Sequence, residues 1–174
     1  NLVLSTSNTF SQEDEECLNL LRQRRVDGVI LLASHREDQL IPRLTRDRFP
    51  FVLIGRYEGT EEINWVNNDN IEDAKTAVRY LLNKGHRQIA CLDGDPRYVV
   101  SADRLTGYKM ALQDHDVPVE SGLVEHSEFS VEGGYQATRL LLDRRQPFSA
   151  LFAVDDLVAI GAMQALEQAG RKVG

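Results

Sequence analysis

Short apolar runs alternate with stretches in which apolar residues recur every three or four positions, and this rhythm continues along the whole chain. The runs predict strands and the longer spacing predicts amphipathic helices. A strand is expected over residues 2–5, followed by a helix opened by Ser11, Glu13 and Asp14 that carries Cys17, Leu18 and Leu21 on one face. Residues 26–33 form a near-continuous apolar run, the pattern of a parallel strand buried on both faces. A polar break at 34–37 leads to a helix bearing Leu40, Ile41 and Leu44, with Pro42 confined to its first turn, and then to a buried strand over 51–54.

A charged loop, 55–62, and a weaker strand, 63–66, interrupt the rhythm. Four polar residues, Asn67, Asn68, Asp69 and Asn70, can cap a long helix over 71–83 whose inner face is Ala74, Ala77, Val78, Leu81 and Leu82, with Gly85 as its stop. The strand 88–92 runs into a polar turn at 93–97, and a helix follows near Ser101, running over 102–113. A strand at 123–126, a helix over 131–144, a strand over 150–154 and a helix over 157–169, capped by Asp155 and Asp156 and stopped by Gly170, complete the series. Strands alternating with helices imply an α/β protein with parallel sheets and right-handed crossovers. The loops leaving the carboxyl ends of such strands are where ligands bind, so residues 93–104 are placed to rim a pocket.

Length and charge narrow the function. With 174 residues and 42% apolar content the chain can bury one ordinary core or two small ones. A net charge of −7 argues against nucleic-acid binding through its own surface, which requires a basic patch. If DNA is involved, another part of the polypeptide touches it. Two cysteines, Cys17 and Cys91, make neither a metal-ligand spacing nor a disulfide framework and read as reduced, mostly buried thiols of a cytoplasmic protein. No apolar run reaches the roughly 20 residues needed to cross a bilayer, no signal peptide precedes Leu2, and Asn1 opening directly on a strand reads as the start of a fragment.

Catalytic and cofactor motifs are not found. Neither Gly94 nor the Gly133–Gly134 pair has the spacing of a phosphate loop, and Gly133–Gly134, inside a helical pattern, suits close helix packing. No serine stands between glycines as in a hydrolase elbow, and His35, His86, His115 and His126 have no ligand partner nearby in sequence. Asp69 and Asp155 suit helix capping, contact with a polar ligand, or both; a cation site built from Asp93, Asp95 and their like is the weaker reading. Arg104 would by default be a solvated helix residue, yet its fork of donors suits a ligand with neighbouring hydroxyls. Phe129, just before a helix, is either a core aromatic or a platform for the C–H face of a sugar.

The segment 81–90, Leu-Leu-Asn-Lys-Gly-His-Arg-Gln-Ile-Ala, followed by Gly94, Ser101, Arg104, Gly107 and Tyr108, resembles the core of the effector-binding domain of LacI/GalR-family transcriptional regulators. Further matches lie in order at 26–31, 51–55, Asp69–Asn70, and 152–156 through 159–162, so the resemblance covers essentially the whole chain. It implies a periplasmic-binding-protein-like (type I) fold of two Rossmann-like lobes with parallel sheets, truncated at both ends. The N-terminal lobe would span residues 1–85 and the C-terminal lobe 86–174, with the effector in the cleft between them. Carried over by position, Asp69, Ser101, Arg104, Phe129 and Asp155 would form the ligand-binding set, Phe129 as the stacking aromatic and Asp69 as the cleft carboxylate. Many members have Asn-Asp where this chain has Asp155-Asp156, a departure that favours a neutral, hydroxyl-rich ligand.

The resemblance further implies a homodimeric repressor whose DNA contacts come from a helix-turn-helix headpiece outside this chain, with no catalytic residues, cofactor or metal. The run 65–70, together with 51–55, is similar to the maltose-type regulators, pointing to an α-glucoside or similar sugar. A periplasmic sugar-binding protein shares the fold and is the alternative; the Gly85-His86-Arg87 run favours the regulator. An enzyme would need an acid/base pair that these residues do not supply.

Overall fold

The computed structural model describes residues 3–5 and 10–174. Its elements are α1 (Phe10–Arg22), β1 (Val29–Leu31), α2 (Leu40–Arg46), β2 (Phe51–Ile54), β3 (Trp65–Val66), α3 (Asn70–Asn83), β4 (Ile89–Asp93), α4 (Val99–Gln113), β5 (Val124–His126), α5 (Val131–Asp143), β6 (Ala150–Ala153) and α6 (Asp156–Gln168). All strand pairing is parallel, in two sheets ordered β1-β2-β3 and β5-β4-β6. The chain divides into two compact units, residues 1–67 and 68–174, one for each sheet. Helix α3, which precedes the lobe boundary expected near residue 85, packs along α4. A β-carbon on Gly107 of α4 would collide with the Ile71 carbonyl of α3, so the two helices sit backbone to backbone and α3 belongs with the second unit.

In the second unit β4 is buried along its whole length. Its side chains alternate between two cores. Ile89 and Cys91 join Val78 and Leu82 of α3 and Tyr108 and Leu112 of α4, while Ala90 and Leu92 join Ala137 and Leu141 of α5 and Val158 and Ala162 of α6. Glycine sets the α5–α6 distance: a β-carbon at Gly134 would strike the Val158 carbonyl, and one at Gly161 the Val131 carbonyl. The packing role expected of Gly133–Gly134 thus falls on Gly134. The Gly85-His86-Arg87 run is structural. Gly85 takes a left-handed φ of +95° as α3 ends, Arg87 Nη1 donates to the carbonyls of Leu82 and His86, and His86 Nδ1 lies 2.9 Å from Ser149 Oγ.

Among the described residues, the first unit packs on one face of its sheet. Leu18 and Leu21 of α1 and Leu40 and Leu44 of α2 pack with Val29, Leu31 and Phe51. The strand expected over 26–33, buried on both faces, is confined to Val29–Leu31, and Ile30 and Leu32 are 64% and 70% exposed. In register, Ile30 sits beside Val52 and Ile54 beside Val66, so these residues form a continuous apolar face that neither α1 nor α2 covers. The strand expected over 63–66 is limited to Trp65–Val66. Of the strand expected over 2–5, Leu2 lies outside the described residues and residues 3–5 are not in a strand.

Candidate functional site

The residues singled out in the sequence converge on the carboxyl ends of β4, β5 and β6 in the second unit. Asp69 caps α3, accepting a hydrogen bond from the Glu72 amide at Oδ1 (3.0 Å), as its place before the helix requires. Asp155 caps α6 through Oδ1, which accepts from the amides of Leu157 (2.8 Å) and Val158 (3.4 Å). Each carboxylate keeps its Oδ2 uncommitted among the described residues.

Arg104 is half-buried on α4. Its Nε donates to Asn70 Oδ1 (3.1 Å) and its Nη1 to the Val154 carbonyl (2.6 Å), so one guanidinium ties the start of α3 to the end of β6. This is not the solvated arginine that is the default reading of the sequence. The two anchors fix the plane of the fork, and the remaining N–H groups have a defined direction.

Ser101 lies one turn earlier, because α4 begins at Val99, three residues before the start expected at 102. Its Oγ is fully buried and has no hydrogen-bond partner among the described residues. Phe129, half-buried after β5, meets Tyr98 edge-on, with ring centroids 5.7 Å apart at 81°. Ser101 and Phe129 meet at Gly94: a β-carbon there would collide with the Phe129 ring edge and lie 2.6 Å from Ser101 Oγ. Gly94 is therefore required by close approach, not by its dihedral angles.

Sequence spacing did not reveal three further participants. Asn70, grouped with the capping asparagines, is buried and holds Arg104. Asp93, expected in the polar turn, is instead the buried last residue of β4. Its Oδ1 accepts from the Gly94 amide (2.9 Å) and its Oδ2 lies 3.2 Å from His126 Nδ1. His126, without a partner nearby in sequence, thus finds one 33 positions away across the β4–β5 pair, whose register sets Asp93 beside His126. Burial raises the Asp93 carboxyl above the ordinary carboxylate range, while His126, the Gly94 amide and Lys109 act in the opposite direction. Burial likewise pushes the Cys91 thiol up, which makes it inert.

The first unit has a cavity of about 360 Å³ lined by Asp14, Glu15, His35, Asp38 and Arg43 among others; none of the five expected ligand residues borders it. Nearby, Glu58 bridges Arg36 (3.3 Å) and Arg56 (3.0 Å), and its carboxyl is lowered by those two hydrogen bonds despite the opposing effect of burial. Among the described residues no group of three or more His, Cys, Asp and Glu side chains could hold a metal ion, and no helix is long and apolar enough to cross a membrane.

Residues 3–174 match the family model described as periplasmic binding proteins and sugar binding domain of LacI family. The chain is 36% identical over 163 residues to the HTH-type transcriptional regulator CelR of Thermobifida fusca, covering 92% of this chain and 48% of the relative. It is 32% identical to the HTH-type transcriptional regulator MalR of Streptococcus pneumoniae, over 86% of this chain and 47% of the relative. Among solved structures, a complex of the transcriptional regulator CelR with cellobiose superposes with a TM-score of 0.90 at 36% identity, covering 98% of this chain and 53% of that one. The chain spans about half the length of the curated relatives it matches. On this evidence it belongs to the family of periplasmic binding proteins and LacI-type sugar-binding domains.

Proposed function

We propose that this chain senses a neutral sugar for a transcriptional regulator. The supporting observation is the hydrogen-bonding complement at the ends of β4–β6. Arg104 has N–H donors left over after binding Asn70 and Val154, and Asp69 and Asp155 each have one oxygen left over after capping a helix. Such a mixture of donors and acceptors suits vicinal hydroxyls, each of which gives one hydrogen bond and takes another. Two carboxylates against one guanidinium disfavour sugar phosphates and sugar acids. Phe129 supplies the apolar surface on which a pyranose ring packs.

In the complete protein the effector would bias two states of the regulator and so change its affinity for operator DNA, contacted by a helix-turn-helix headpiece on each subunit of a homodimer in the cytoplasm. Coupling of about 1–3 kcal/mol would change operator affinity roughly 5- to 150-fold. The relatives that match are transcriptional regulators, and we assign this chain no catalytic role. Cellobiose, the sugar in the CelR complex, is the first candidate effector, with an α-glucoside such as maltose as its competitor.

A thermal-shift comparison of cellobiose, maltose and glucose 6-phosphate tests the reading. A neutral sugar at 100 times its Kd should add about 2.7 kcal/mol of apparent stability, and glucose 6-phosphate should add none. Stabilisation by the phosphorylated sugar alone would reject the assignment.

A further inference from the structure

The Asp93–His126 pair lies behind the Gly94 turn of the candidate site, and its geometry gives it a role there. Asp93 is 1% exposed, an unusual position for a carboxylate, whereas the His126 side chain is 59% exposed, so solvent protons reach the pair from one side only. Asp93 grips the turn at both ends. Its side chain accepts from the Gly94 amide, and its carbonyl accepts from the Ser127 amide (2.8 Å), two residues before Phe129. Gly94 in turn is where the Ser101 hydroxyl and the Phe129 ring converge. The charged and titratable groups around the pair are Lys109 on α4, Cys91 on β4, and Glu125 on β5, which Arg144 neutralises.

We propose that Asp93 and His126 are positioning residues for the effector site: the Asp93 carboxylate, held between the Gly94 amide and the His126 imidazole, fixes the Gly94 turn, and through it Ser101 and Phe129, so that effector affinity follows the ionisation of Asp93. This rests on the sugar-sensor reading only for its effect on affinity; the effect on the turn stands independently. When Asp93 takes up a proton, its oxygens become weaker acceptors for the Gly94 amide and for the imidazole N–H. The turn then loses both restraints at once.

The test has two arms. In the effector-free chain, the Gly94 amide and Phe129 ring resonances are followed by NMR from pH 8 to about 3.5, below the ordinary Asp value, in the wild type, Asp93→Asn and His126→Gln. In the wild type the two signals should move together with one midpoint, and in Asp93→Asn neither should move. His126→Gln, at an exposed position, should keep the turn in place near pH 7, because an amide still donates to Asp93, and it covers the case in which Asp93→Asn does not fold. In the second arm, wild-type affinity for cellobiose should fall roughly tenfold across the same range, and that of Asp93→Asn less than twofold. A Phe129 ring indifferent to pH, or equal pH profiles for the wild type and Asp93→Asn, would overturn the proposal. If cellobiose and maltose both fail to bind the wild type, the sugar-sensor reading fails while the NMR arm still decides the role of the pair.

Discussion

Each unit carries three parallel strands flanked by helices, yet the two bury their sheets differently. In the second unit β4 is enclosed by α3 and α4 on one face and α5 and α6 on the other. In the first unit α1 and α2 cover one face, and Ile30, Val52, Ile54 and Val66 are left on the other. Burying both faces fixes the ends of the strands, and the second unit is where the predicted ligand residues gather. Precision at a binding site is inherited from the sheet beneath it.

The strongest way to break this contrast is at the α5–α6 contact. Gly161→Val places a side chain against the backbone of α5, where nothing flexible can yield. The expected loss is about 3 kcal/mol or more, read as a lower urea midpoint. A matched pair of truncations sharpens the comparison. Leu92→Ala, from the fully buried β4, should cost about 2–5 kcal/mol, whereas Ile30→Ala, on the bare face of β1, should change stability by about 0.5 kcal/mol or less. Equal losses would mean that the face of the first sheet is covered in solution.

Smaller effects are expected within the site. Asp155→Ala removes the acceptor for two amides at the start of α6 and should cost about 0.5–2 kcal/mol in the effector-free chain. Asp155→Asn, which can still cap, should recover most of that stability without recovering sugar affinity. The smallest expected effect is a pH dependence. The Asp93 carboxyl is raised in the folded chain, so its contribution to stability is fully present below its unfolded value of about 4 and is lost as pH rises through the folded value. Relative to Asp93→Asn, the wild type should therefore gain stability as pH falls from 7 towards 4. A constant difference between the two melting curves over that range would contradict the assignment.

Much of this could be read from the sequence, because local chemistry repeats there. The caps Asp69 and Asp155, the apolar face of α3 apart from Ala77, which is exposed, and the stop at Gly85 lie within a few residues of the helices they serve. What escaped was whatever depends on which strands become neighbours. Asp93 reads as a turn residue until β4 is paired with β5, and only that register sets it beside His126. Asn70 reads as one of four interchangeable capping residues until Arg104, 34 positions later, turns out to hold it. The length of β1 was overestimated for a related reason: apolar residues mark strand propensity, while pairing partners set how far the strand extends.

Calorimetric titration of wild type and Arg104→Ala with cellobiose and maltose tests the sugar site most directly. The substitution removes the Arg104 donor from Asn70 Oδ1 and from the Val154 carbonyl, together with the N–H groups assigned to the sugar. The wild type is expected to bind one of the two sugars and the variant to bind it at least 100-fold more weakly, equivalent to a loss of about 2.7 kcal/mol, while still unfolding cooperatively. A variant that binds with the affinity of the wild type would contradict the placement of the sugar at the ends of β4–β6.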